Sequence, residues 1–122
     1  MLTGGRDLLA EVQTIKGIKV LAVSLDVDDV KVLRDTGDQL RERLGSGVLV
    51  LAVVGGPEVK LLAMVSKDLV DKIHAGTLLG EIATQLGGKA GGRPDLALGG
   101  GRNAAGVPEA LAYACKWIED RA

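Results

Sequence analysis

VLVLAVVGGPEVKLLAMV, residues 48–65, is a pair of apolar runs broken by one turn, and the rest of the chain can be placed around it. Val48 to Val54 contains no polar side chain, as a strand requires when both faces of its sheet are covered. Gly55-Gly56-Pro57-Glu58 is turn chemistry: glycine supplies unusual backbone angles and proline presets one. Val59 to Val65 then returns as a second strand. The simplest arrangement is an antiparallel hairpin at the centre of a sheet.

Upstream, Ile18 to Leu25 (IKVLAVSL) reads as a further apolar strand, with polar punctuation only at Lys19 and Ser24. A helix should connect it to the hairpin. Asp28 and Asp29 favour its start by capping and by their charge at the positive end of the helix dipole. Val30, Leu33, Leu40 and Leu44, with Gly37 between, follow the spacing of one helical face, and Gly45 and Gly47 end the run. The opposite face (Arg34, Asp35, Asp38, Arg41, Glu42 and Arg43) carries both signs of charge and reads as solvated. Residues 6–14 (RDLLAEVQT) fit one or two helical turns, so residues 1–15 are expected to be the remnant of a preceding helical segment or linker, and 16–122 the domain itself.

Downstream, Ser66 is placed to cap a short helix through Ile73, and Gly76 separates it from a second helix that should run to about Leu86 on the stripe Leu78, Leu79, Ile82, Leu86. A final helix begins at Pro108, a residue suited to a first turn, with Leu111, Ala114, Cys115 and Ile118 toward the core. The expected fold class is therefore α/β: a single domain with a mixed β-sheet, a central hairpin and helices packed against it.

The chain has 122 residues, enough for one self-sufficient core, and at 47% apolar and 25% charged it belongs with globular rather than disordered sequences. One Trp, one Tyr and no Phe make that core aliphatic. No apolar run is long enough to span a bilayer, Met1 to Gly5 lacks a signal-peptide pattern, and one cysteine, Cys115, suits a reducing compartment; a cytoplasmic protein with no membrane partner is expected. Fifteen Lys and Arg against sixteen Asp and Glu leave a net charge of −1, which argues against a strong, stand-alone nucleic-acid binder but leaves room for a local cationic patch.

Such a patch exists in Gly87 to Gly106, GGKAGGRPDLALGGGRNAAG, where Lys89, Arg93 and Arg102 face a single acid, Asp95. The stretch reads as a tight loop, a short strand at Leu96-Ala97-Leu98, and a second tight loop opening the last helix. It lacks the order GxxxxGK[ST] of a nucleotide-hydrolase phosphate loop. Gly99-x-Gly101-x-x-Ala104 is a relaxed dinucleotide fingerprint, but no strand follows its helix to complete a βαβ unit. His74 and Cys115 stand alone and far apart, so no metal site is expected, and His74 reads as a helix-terminal cation. No catalytic constellation and no cofactor are indicated. Asp95 either bonds turn amides or pairs with Arg93, or touches a ligand; Tyr113 and Trp117 either close the core edge or offer a stacking surface. Lys89 and Arg93 on a glycine frame point to phosphate or carboxylate binding.

The run from Gly87 to Gly100 resembles the C-terminal signature of alanyl-tRNA synthetases, typically GGKGGGRPDMAQAGG, and Ser46 to Lys89 resembles that family's hairpin, VSKDL turn and following helix. The resemblance covers residues 16–120. It implies a DHH-associated domain, with no activity of its own, that serves as the tRNA-binding module of an alanine–tRNA ligase. Such a module would hold the elbow of an alanine-specific tRNA so that aminoacylation and editing act on one molecule. Its partners would be that tRNA, the remaining synthetase domains and, in a second role, another copy of itself. The RNA-binding residues it implies are Lys89, Gly91, Gly92, Arg93, Asp95 and Arg102. The alternatives are an oligomerisation module of the same synthetase or the substrate-binding domain of a DHH-type phosphoesterase. Two departures stand out: Ala90 replaces a signature glycine, and its methyl is expected to narrow the loop; Leu98-Gly99 replaces a polar–small pair.

Overall fold

A computed structural model describes residues 12–25, 30–55 and 58–121. The expected helix start at Asp28-Asp29, the Gly56-Pro57 turn and residues 6–11 lie outside these. The chain order is β1 (Gln13–Ile15), β2 (Ile18–Leu25), α1 (Val30–Leu44), β3 (Val48–Gly55), β4 (Glu58–Val65), α2 (Ala75–Gln85), β5 (Lys89–Gly92), β6 (Leu96–Gly101) and α3 (Val107–Arg121), with a 3₁₀ turn at Ala104–Gly106 before α3. One six-stranded sheet runs β1-β2-β3-β4-β6-β5. Only β2 and β3 pair in parallel, through the α1 crossover; the other neighbours are antiparallel. The mixed sheet with the β3–β4 hairpin at its centre is the expected α/β architecture.

Strand alternation sorts the core into two layers. Val50, Ala52, Leu61 and Ala63 point to α2 and α3, where they meet Leu78, Leu79, Ile82, Ala114 and Ile118. Leu49, Leu51, Leu62 and Met64 point to the other side, under α1 and its Leu40. Gly37 lets α1 approach closely, since a Cβ there would stand 2.5 Å from Leu62 Cδ2. The six charged residues expected on the outer face of α1 are all exposed.

Three local expectations are corrected. Gln13 and Thr14 belong to a strand, not a helix: β1 turns back onto β2 through Lys16-Gly17, both at positive φ (49° and 84°), the geometry of a two-residue hairpin turn. Residues 67–72 form successive turns rather than a helix. Ser66 does not cap there, because its N–H donates to the Gly47 carbonyl and its Oγ accepts from the Gly47 N–H, tying β4 to the start of β3. Lys89–Gly92, expected as loop, is a strand.

α3 starts one residue earlier than expected and is turned so that Trp117 joins Ala114 and Ile118 in the core, while Leu111 and Cys115 are half-buried at its margin. The Arg121 guanidinium lies 3.6 Å over the Trp117 ring, and Tyr113 stays on the surface. Trp117 therefore closes the core edge.

Candidate nucleic-acid interface

The glycine-rich stretch is held by its backbone. α2 ends in a Schellman cap: the Gly87 N–H donates to the Thr84 carbonyl and the Gly88 N–H to that of Ala83, with Gly87 at φ 73°. Gly88 then passes so near β6 that a Cβ would overlap the Gly100 carbonyl oxygen. β5 runs antiparallel to β6, and a two-residue turn, Pro94-Asp95, joins them, closed by the Arg93 N–H on the Leu96 carbonyl at 2.8 Å. The turn is anchored on both sides. The Pro94 carbonyl accepts from the Ala75 N–H in the first turn of α2 (2.8 Å), and the Asp95 carbonyl accepts from the Val65 N–H at the end of β4 (2.9 Å). Lys89 and Arg93 thus stand on a fixed hairpin rather than on a loose glycine frame.

The departure at Ala90 has a partner. Ala90 pairs with Gly99, and a Cβ at Gly99 would overlap the Ala90 methyl. Relative to the signature, the methyl has moved from position 99 to position 90, across the same strand pair. The space between β5 and β6 is filled once either way, so the methyl does not narrow the site.

The two faces of this hairpin differ. α2 packs over β5 and β6 on one side, covering Ala97 and Ala90. On the other side α1 lies over β3 and β4, and Leu98 on β6 is left 37% exposed. Register sets what this uncovered face displays. Gly100 pairs with Lys60 of β4 on one side and Lys89 of β5 on the other. Leu98 likewise pairs with Leu62 and Gly91, and Leu96 with Met64 and, through the turn, Arg93. Strand spacing puts Lys60 and Lys89 about 10 Å apart, and strand rise puts Lys89 and Arg93 about 13 Å apart. The result is a flat floor, bare at Gly91 and Gly100, with a cation at three corners.

The Arg93 side chain is 69% exposed, with Nε 3.6 Å from Asp95 Oδ1. That surface pair orients Arg93 but is worth at most about 1 kcal/mol, and the guanidinium retains donors for an incoming anion. Lys60 and Lys89 have no ion-pair partner among the described residues. Gly92 alternates to the α2 side, opposite Ala97, so it can offer a ligand only backbone. Arg102 is exposed and follows directly on β6, near the Lys89 end, where its N–H and that of Asn103 donate to the Leu86 carbonyl. Of the six expected site residues, Lys89, Gly91 and Arg93 share the uncovered face. Asp95 sits in the turn, Arg102 at the far end, and Gly92 behind. Sequence reading missed Lys60, the single polar break in VKLLAMV, and saw Leu98 as a strand residue and a departure but not as part of a site.

His74 has a different role from the one expected: it is the N-cap of α2, its Nδ1 accepting from the Thr77 N–H at 3.2 Å. Burial pushes the Cys115 thiol above its ordinary range, away from nucleophile chemistry. No group of three or more metal-ligating side chains occurs among the described residues, and none of their helices is long and apolar enough to cross a membrane.

The model of the DHHA1 domain matches residues 17–120. The chain belongs to the DHHA1 domain family. It is 46% identical over 117 residues to an alanine–tRNA ligase of Delftia acidovorans and 48% identical over 118 residues to that of Methylibium petroleiphilum. These matches take in 96% and 97% of this DHHA1 chain but only 13% and 14% of the ligases' length. The fold superposes on the C-Ala domain of Aquifex aeolicus alanyl-tRNA synthetase with a TM-score of 0.82 at 28% identity, covering 88% of this chain and 97% of that one. The resemblance drawn from GGRPD is borne out. A DHH-domain protein described as a member of the s1p family of ribosomal proteins shares the fold at TM-score 0.61 and 17% identity.

Proposed function

We propose that this DHHA1 domain is the tRNA-binding C-terminal module of an alanine–tRNA ligase, holding the tRNA elbow so that aminoacylation and editing reach one molecule. The observation that carries the reading is the uncovered face of β5 and β6, with Lys89 and Arg93 displayed on rigid backbone around a glycine floor. Folded RNA is read largely through its phosphates, 2′-hydroxyls and shape, and a flat cationic face suits that chemistry. The relatives' names supply the RNA's identity. A net charge of −1 fits a module that borrows affinity from the domains it is linked to, because linkage raises its local concentration. The domain itself carries no catalytic role in this reading.

The test is fluorescence anisotropy of the 122-residue chain with a labelled alanine tRNA transcript. Weak, salt-sensitive binding is expected, with a loss of roughly tenfold or more for Lys89→Ala with Arg93→Ala. Unchanged binding by the double variant refutes the assignment. A second reading, self-association, draws on β5 being an edge strand with its outer side unpaired. Sedimentation that finds only monomer across a wide concentration range removes it.

A further inference from the structure

β4 is buried from Leu61 to Val65, and Val59 is buried too; Lys60 between them is half-buried. A lysine in such a row keeps its stem on the apolar face and its ammonium in water. The way out is set by register. Gly100, its neighbour on β6, raises no side chain, so the ammonium has open floor in the direction of Lys89. Two like charges therefore flank one glycine with no acid partner among the described residues. Two unpaired cations about 10 Å apart repel at low salt, and an anion bound between them is favoured. Leu98 stands midway along the line from Lys60 to Arg93, on the edge of the triangle those two make with Lys89, and it is the exposed apolar side chain of this face.

We infer that the RNA-binding surface extends off the glycine-rich signature onto β4, with Lys60 as a third phosphate-contacting cation and Leu98 as an apolar contact to the nucleoside lying between the phosphates. This rests on the RNA-binding reading above. The sugar–phosphate chain crosses the strands from β4 to β5 at the Gly100 row, and a separate phosphate meets Arg93 at the hairpin tip. Lysine and leucine contacts leave different signatures: a lost phosphate contact lowers both affinity and its salt dependence, whereas a lost apolar contact lowers affinity alone.

The experiment titrates the 122-residue chain into an alanine tRNA transcript at several KCl concentrations from about 50 to 200 mM. Lys60→Gln, and Lys60→Met as a second variant that keeps the stem on the apolar face, should each reduce the slope of log K against log salt by about 0.7–0.9. The wild-type advantage should accordingly shrink about threefold across that range, as for Lys89→Gln. Lys60→Arg should retain affinity and slope. Leu98→Gln should weaken binding about threefold or more with the slope unchanged, and Arg34→Gln on the outer face of α1 should change neither. If Lys60→Met and Lys60→Gln match wild type while Lys89→Gln does not, the extension onto β4 is wrong and the RNA-binding reading stands. If Lys89→Gln and Arg93→Gln also match wild type, that reading falls with it. A slope change in Leu98→Gln, or no loss of affinity, refutes the apolar contact.

Discussion

Exchanging the side chains of Ala90 and Gly99 should leave the domain close to its original stability, although either change alone weakens it. A methyl added at Gly99 overlaps the Ala90 methyl and stands 2.7 Å from Ala90 Cα and 2.8 Å from the Lys89 carbonyl oxygen. Overpacking of that kind costs about 1–3 kcal/mol, and the pinned hairpin has little freedom to yield. Ala90→Gly removes a half-buried methyl and loosens the backbone, together about 1 kcal/mol. Added independently, the two changes would destabilise by about 3 kcal/mol. In the double variant the side-chain overlap disappears and one glycine replaces another, so the backbone-entropy terms cancel. The tight approaches to the residue 90 Cα and to the Lys89 carbonyl remain, and a small shift of β5 must relieve them. We expect the double variant within about 1 kcal/mol of wild type, a coupling of about 2 kcal/mol. Urea unfolding reads this directly: the double variant's midpoint should lie about 1 M above the value that adding the single variants gives. A double variant as unstable as that sum would mean that the two positions do not share one space, and the account of how β5 docks on β6 would be wrong.

Asp68 accepts from Ser46 Oγ, and hydrogen bonds from Ser46 and then Ser66 hold its carboxyl below the usual carboxylate range. Its contribution to stability is present above the unfolded carboxyl value and is lost as pH falls through the lowered one, so the effect is confined to acid below about pH 4. Ser46→Ala should move the Asp68 titration upward in a carbon-detected NMR titration; an unmoved value contradicts the assignment of cause. His74→Ala removes the α2 N-cap and should cost about 0.5–2 kcal/mol by thermal or urea unfolding, while His74→Asn should hold stability because asparagine caps well. Equal losses in the two variants would place the role of His74 elsewhere.

The chain's periodicities were informative where packing and local preference agree. β3 and β4 were legible because an unbroken apolar run between turn residues has few other uses. α1 and α2 were legible from their spacing and the glycines that stop them. β1 was hidden by RDLLAEVQT, whose apolar spacing suits a helix, and the better signal was Lys16-Gly17 between two isoleucines. The turns at 67–72 were misread because Ser66 is a good helix cap in isolation, and only the fold brings Gly47 within reach of its hydroxyl and amide. β5 could not be read from propensity, because KAGG has none for a strand. What makes it one is the pairing with β6, possible because Gly88 and Gly99 permit close backbone approach. The cations of the signature were legible as a group, but which of them share a face depends on pleat and register. Lys60, 29 residues before Lys89, enters that face only through the pairing of both with Gly100.

Titrating alanine tRNA into the isotope-labelled chain and following its backbone amides tests most directly whether the helix-free side of the β5–β6 hairpin receives RNA. Shifts or broadening are predicted at Lys60, Lys89, Gly91, Arg93 and Leu98, with Glu109, Lys116 and Glu119 on α3 unmoved. Perturbations confined to α2 and α3, with β5 and β6 silent, would contradict the account.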